Sequence, residues 1–190
     1  MQATATLTSD LAKGALAGAA STWVLDRVDW MMVDYEDPKA WRRTRDVRPN
    51  HKDPAHNLVD KAAEAVGSEP IPQPNPAGIA VHYALGIGPA AFYATVRDHI
   101  PGGPLGRGIL LGLGMTLIED ETLNPAMGLA AKPQRYPWQA HARSVVAHLV
   151  YGLATEAILS VLDYPRGRGR RRSHSEQEAG GRVSRDPRRT

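Results

Sequence analysis

A run of 19 residues, from Gly78 to Val96, contains no formally charged side chain. A helix of about this length is what the hydrocarbon core of a bilayer requires. A second apolar stretch, at about residues 141–162, is long enough as well. Because backbone groups in lipid must be satisfied within helices or closed barrels, both stretches predict membrane-spanning helices.

Two further apolar stretches contain charges. Residues 11–33 carry three charged side chains near their far end, and residues 105–124 carry the acidic triplet Glu119, Asp120 and Glu121. Acidic residues are costly inside a membrane, so they typically mark a bundle interior or a functional site. The sequence thus predicts four spans, at about 11–33, 78–96, 105–124 and 141–162.

The mean hydropathy of −0.36 by itself indicates a soluble protein, which is the alternative to the membrane interpretation. The polar residues, however, are concentrated in residues 34–76 and 165–190. The remainder has the composition of a membrane domain, and we predict an all-α fold, an integral membrane four-helix bundle within residues 1–164. Its expected partner is the lipid bilayer. The chain has no cysteine, so disulfides and thiolate metal ligands are excluded.

The polar segments predict the topology, since four spans place both termini on one side. Residues 165–190 are rich in arginine, and positive residues beside a span are typical of the cytoplasmic side. Arg97 and Arg107 in the second loop agree with this orientation. We therefore expect a multi-pass protein of the bacterial inner (cytoplasmic) membrane, N-in and C-in, with residues 34–76 as an extracytoplasmic loop.

The same polar segments also predict local structure. The basic cytoplasmic tail, residues 165–190, combines Gly, Ser and Arg without apolar periodicity, which predicts disorder. No aromatic side chain is interleaved with its arginines, so nucleic acid is not an expected partner. In the loop, Leu58, Ala62, Ala65 and Val66 recur at helical spacing and predict a short helix on the bundle or on the membrane surface.

The pattern GxxxGxxxTxxxD occurs twice in the chain, and each copy is followed by an HxxxG pattern. The first set is Gly14, Gly18, Thr22, Asp26, His82 and Gly86, and the second is Gly108, Gly112, Thr116, Asp120, His148 and Gly152. Residues four apart lie on one helical face, where glycines allow close helix approach. The sequence therefore predicts two pseudo-repeated hairpins related as a parallel repeat. The glycine faces also suit contacts in a homo-oligomer.

The repeat predicts where the polar side chains lie in the bilayer. Asp26 and Asp120 lie roughly 22 Å into a core about 30 Å thick, and His82 and His148 reach the same level from the other side. The four side chains are therefore expected to converge in the extracytoplasmic half.

The fourth span adds a polar seam that continues from this level. Its members recur in steps of three and four and are His141, Ser144, His148, Tyr151 and Thr155. Glu156 follows, so we expect a hydrogen-bonded line running towards the cytoplasm. Glu119 and Glu121 diverge from Asp120 by about 100° each. One of them is expected to snorkel to the interface, to pair with Arg27 or Arg143, or to line a neighbouring wall.

Three interpretations of these residues remain open. Asp26, His82, Asp120 and His148 suit a divalent metal ion. With Glu119 and Glu156 they also suit the binding or passage of protons or cations, since imidazole titrates near neutrality. In the third interpretation they only fix helix packing, as in a structural or accessory membrane protein. The nearby carboxylates disfavour haem binding. No serine lies in a nucleophile-elbow pattern, so the sequence gives no such indication of an enzyme.

Three stretches resemble a known family: GALAGAAST in the first span, NPAMGLAAKPQRYPW after the third, and AHLVYGLATEAI in the fourth. The chain resembles the YagU-like family of bacterial inner-membrane proteins over about residues 11–163, most specifically over 108–160. The resemblance implies a four-helix membrane protein whose molecular function is not established. It also implies that His148 and the following Glu156 match a family feature.

Overall fold

The computed structural model describes residues 2–182, with the side chains of residues 6–164. It contains helices and no strand over these residues, so the predicted all-α class is confirmed. The six helices are α1 (Gln2–Tyr35), α2 (Pro38–Val47), α3 (Pro54–Ala65), α4 (Pro76–Val96), α5 (Gly103–Met115) and α6 (Trp138–Arg182). Residues 183–190 and the side chains of residues 165–182 lie outside the described part, and the predicted disorder of the tail stays a prediction.

Three helices of the first half begin with the same local signal. An Asp or Asn accepts a hydrogen bond from a backbone N–H of the first turn, and a proline follows it at the first helical position. The capping residues are Asp37, Asp53 and Asn75. Proline suits this position because its missing N–H would have no intrahelical partner there. The segment between α1 and α4 is therefore two short helices and their connections, and not an extended loop.

Helix α1 packs against α4 and α6, and α5 packs against α6. Glycines allow the close approach of α1 to α4 and of α5 to α6. A Cβ on Gly14 would lie 2.5 Å from the carbonyl oxygen of Ala90 on α4. A Cβ on Gly112 would lie 2.4 Å from the carbonyl oxygen of His148 on α6. The glycine faces considered above for oligomer contacts are thus filled from within the chain.

Two helical segments, Pro76–His99 and Trp138–Tyr164, are long and apolar enough to cross a membrane. In each segment the percentage refers to an apolar stretch of 18 residues, of which only 17% and 33%, respectively, are buried within the protein. The core helix of a soluble protein would be mostly buried, so these segments present apolar surface outwards. α1 and α5 do not meet the same criterion, since α1 carries several charges and α5 has 13 residues.

Helix α3 is the short helix predicted from Leu58 to Val66, and it packs against α4. Its buried side is polar: the amide nitrogen of Asn57 donates to the backbone oxygen of Leu129 at 2.9 Å, and Asp60 binds Lys52 at 2.6 Å. Val66 is 78% exposed. The polar side faces inwards because the connections around it expose backbone carbonyls that require donors.

Candidate functional site

The first Asp–His pair joins α1 to α4. His82 Nε2 lies 2.8 Å from Asp26 Oδ1, and both side chains are partly exposed. One turn away, the Thr22 hydroxyl donates to the carbonyl oxygen of Gly18, and a Cβ on Gly86 would lie 2.0 Å from that hydroxyl oxygen. The missing side chain of Gly86 therefore lets α4 approach α1 closely enough for the pair to form.

The second pair joins the segment after α5 to α6, and a serine takes part in it. Ser144 Oγ donates to Asp120 Oδ2 at 2.5 Å, and His148 Nδ1 lies 3.5 Å from the same oxygen. The same ring nitrogen is 3.0 Å from the backbone oxygen of Ser144, which can only accept. Asp120 and His148 are therefore close, but the serine hydroxyl makes the shorter bond to the carboxylate.

The acidic triplet lies on a π-helix, Thr116–Leu123, where the sequence predicted a continuous α-helical span to residue 124. The wider turn is visible in the side chain of Thr122, whose hydroxyl donates to the carbonyl oxygen of Leu117, five residues earlier. π-Helical turns are rare in proteins, and those that occur are frequently found at functional sites. The widening changes the directions of the three acids from those of an α-helix.

Glu119 and Glu121 have different surroundings. His141 Nδ1 lies 2.7 Å from Glu121 Oε1, while His141 Nε2 lies 3.1 Å from the carbonyl oxygen of Pro133. Both ring nitrogens therefore face oxygen atoms that can accept. Glu119 interacts electrostatically with a member of each pair, Asp120 and His82.

Among the alternatives for the two glutamates, Glu121 contacts His141 and lines the wall of a cavity, and Arg143 has other partners. Arg143 instead binds Asp29 at 2.9 Å and also binds Glu36, and its guanidinium lies 4.9 Å from the centre of the Trp41 ring. Arg27 lies over the ring of Trp23. Arg143 thus fastens α6 to the end of α1 and to α2, which the sequence did not indicate.

The four residues predicted to converge form two pairs. In the part of the chain with described side chains, no group of three or more His, Asp or Glu residues is close enough to hold a metal ion. Asp26, His82, Asp120 and His148 therefore do not form a single four-ligand centre in this structure.

Glu156 belongs to a separate cluster. It is almost fully buried and accepts a hydrogen bond from the Tyr93 hydroxyl at 2.7 Å. Arg97 and Arg107, from the connection between α4 and α5 and the first turns of α5, lie 3.2 and 3.0 Å from its Oε1. Arg97 also binds Asp163 at 2.6 Å. This cluster joins α4, α5 and α6 at the end away from the Asp–His pairs.

The polar seam of α6 is not a continuous hydrogen-bonded line. The hydroxyl of Tyr151 donates to the carbonyl oxygen of Gly86 on α4 at 2.5 Å, away from His148. Thr155 is fully buried one turn further on. The predicted connection from His148 to Glu156 is therefore interrupted at Tyr151, because the tyrosine hydroxyl bonds to the α4 backbone.

A cavity of about 170 Å³ lies beside the second pair. α1, α2, the π-helix and α6 all contribute to its wall, and its polar lining includes Asp29, Arg48, Asp120, His141, Ser144 and His148. Sequence reasoning missed this cavity because the residue spacing in 34–76 did not indicate whether the predicted short helix lies on the bundle or on the membrane surface. The available signal was the capping residue followed by proline at the starts of α2 and α3.

No protein-family model and no curated protein matches the sequence, and no solved structure matches the fold.

Proposed function

We propose that this chain is a multi-pass inner-membrane protein, a four-helix bundle with both termini in the cytoplasm, that binds protons or cations at its two Asp–His pairs. The apolar outer surfaces of Pro76–His99 and Trp138–Tyr164 support the membrane location. α1 and the segment from α5 through Leu123 supply the other two spans of the proposal. Their acids face neighbouring helices, as is usual for ionisable residues within a membrane.

Equivalent contacts in the two hairpins support the proposed internal repeat. Asp26 bonds to His82 across α1 and α4, and Asp120 lies beside His148 across the π-helix and α6. The threonine one turn before each aspartate donates to the glycine carbonyl four residues earlier in both copies. Two independent sequence patterns thus lead to the same pair of contacts.

The observation that carries the functional proposal is the Asp26–His82 bond of 2.8 Å between two largely apolar helices. Imidazole is the side chain whose ordinary pKa lies near neutrality, so a hydrogen-bonded carboxylate and imidazole suit the binding of a proton. The separation into pairs, with no group of three ligands within residues 6–164, favours a proton over a metal ion.

A structural role is the second candidate, and a specific observation favours it. The hydrogen bonds of Tyr151 and Glu156 and the glycine contacts all hold helices together. In this role the Asp–His bonds only fix helix register. Membership of the YagU-like family also remains a proposal, supported by the stretches quoted above, and it does not choose between the two roles.

Asp120→Asn and His148→Ala are each expected to reduce proton flux into liposomes to the level of protein-free liposomes, because each removes a titrating group from the second pair. Flux is measured with a trapped pH indicator under an imposed membrane potential, together with the metal content of the purified protein. Glu64→Gln, on an exposed position of α3, is the matched control. Wild-type flux and metal content in both site variants would establish the structural role instead.

A cysteine placed at Glu69 is expected to react with a membrane-impermeant maleimide added outside spheroplasts, while a cysteine at Asp98 reacts only after lysis. Both positions are exposed, and the chain has no cysteine of its own to react. The reverse labelling pattern would invert the proposed topology. Labelling of both sites from outside, or release of the protein by carbonate washing, would contradict the membrane arrangement.

A further inference from the structure

The cavity beside Ser144 is lined by an arginine that takes part in none of the ion pairs among the described side chains. Arg48 lines the cavity, and its guanidinium lies 5.5 Å from the centre of the Trp41 ring. Asp53 and Asp29 attract it electrostatically, but in the described part of the chain neither lies within ion-pair distance of it. Arg143, the other arginine of the cavity, is already bound to Asp29 and Glu36.

The environment of Arg48 makes this unusual. Burial lowers the pKa of Arg48 from its ordinary value, although arginine remains protonated in proteins. Arg48 is partly buried, and a charge that is partly removed from water is normally stabilised by a partner, because its lost hydration needs compensation. The guanidinium has five N–H donors in a fork that matches a carboxylate, and stacking on Trp41 uses none of them.

The rest of the lining selects the size and charge of a ligand. A cavity of about 150 Å³ admits benzene, so the 170 Å³ here suits a molecule of about six non-hydrogen atoms. Leu25, Ala131 and Ala147 provide apolar wall for a short aliphatic body. Asp120 and Glu121, bonded to Ser144 and His141, also line the cavity, and they repel a dianion such as phosphate about twice as strongly as a monocarboxylate.

We propose that this cavity is a binding site for a small aliphatic monocarboxylate, with the carboxylate held by the guanidinium of Arg48 and the hydrocarbon end against Leu25 and Ala147. Tyr136 supplies a second donor, since its oxygen accepts from the backbone N–H of Ala131 at 3.1 Å and its own proton faces no described acceptor. Monocarboxylate binding in this cavity is a separate function from the proposed proton binding at the Asp–His pairs and does not depend on it.

The test is calorimetric titration of the detergent-purified full chain with butyrate at fixed pH, with butyramide as the uncharged analogue of the same shape. Butyrate is expected to bind saturably and butyramide much more weakly. Arg48→Gln should raise the Kd for butyrate about tenfold to a hundredfold, the loss of one charged hydrogen-bonding partner. Arg45→Gln is the matched control, because Arg45 also lies over Trp41, at 5.7 Å, but is exposed and outside the cavity lining.

Ala140→Leu provides a second variant that keeps every charge, since the added side chain would occupy the cavity and is expected to abolish butyrate binding. Absence of saturable butyrate binding by the wild type would overturn the proposal. An unchanged Kd in both Arg48→Gln and Ala140→Leu would do so too, as would an equal loss in Arg45→Gln. Asp26→Asn separates the two proposals, because Asp26 belongs to the first Asp–His pair and lies outside the cavity lining. It is expected to reduce proton flux and to leave butyrate binding in place.

Discussion

Alanine at Gly152 is expected to destabilise the fold by about 3 kcal/mol, the upper end of the usual overpacking range. A Cβ there would lie 2.2 Å from the carbonyl oxygen of Gly108 and 2.6 Å from the backbone nitrogen of Gly112. Both atoms belong to the backbone of α5, so no side-chain rotation can relieve the clash. α5 and α6 must separate, which also weakens the contact between Asp120 and His148.

The measurement is the midpoint of thermal or detergent-induced unfolding of the purified protein, followed by circular dichroism. Gly114→Ala, on the partner helix α5, is the control, since a Cβ at Gly114 has nothing within 4 Å. The control is expected to unfold at the wild-type midpoint or slightly above it, because alanine is the better helix former. Equal midpoints for the two variants would show that α5 and α6 are not held together at this glycine contact.

Glutamine at Glu156 is expected to cost about 3–5 kcal/mol, the penalty for breaking a buried ion pair by removing one partner. Arg97 and Arg107 would then share a buried neutral amide in place of a carboxylate that now lies 3.2 and 3.0 Å from them. Asp163 still compensates Arg97, so Arg107 carries most of the loss. Of its described partners, Arg107 would keep the exposed carboxylate of Asp98, and this weak compensation of a largely buried guanidinium is the physical source of the effect.

Asp98→Asn tests whether burial, and not the mere presence of an ion pair, sets this magnitude. Asp98 also faces Arg107, at 3.5 Å, but its side chain is 84% exposed. Its replacement is expected to change the free energy of unfolding by less than about 0.5 kcal/mol. Both variants are compared with wild type in the same denaturant titration. A Glu156→Gln protein as stable as Asp98→Asn would mean that water reaches this cluster.

The helices and the Asp26–His82 contact were accessible from the sequence because both depend on local spacing. An uncharged run of membrane length identified α4, and a long apolar stretch identified the apolar part of α6. Steps of four placed Asp26 on the face that meets His82. Such patterns need no knowledge of which helices are neighbours.

Contacts between segments distant in the sequence were not accessible in this way. Glu156 was expected to continue a line from His148, but its partners Arg97 and Arg107 come from a connection whose path no periodicity reveals. The cavity was missed for the same reason, because Arg48 reaches it from a segment with mixed charge. The π-helix was missed because no composition signal distinguishes it from an α-helix that continues.

The π-helix at Thr116–Leu123 also makes the two halves unequal. In the first half α1 is an uninterrupted α-helix, and Asp26 meets His82 directly. In the second half the widened turn coincides with a serine hydroxyl at the carboxylate and with an adjoining cavity. Under the proposed duplication, one copy keeps a direct contact between aspartate and histidine, while the other adjoins a cavity that has room for a small ligand. A single irregular turn would then be enough to give two otherwise equivalent hairpins different functions, proton binding alone in one and ligand binding in addition in the other.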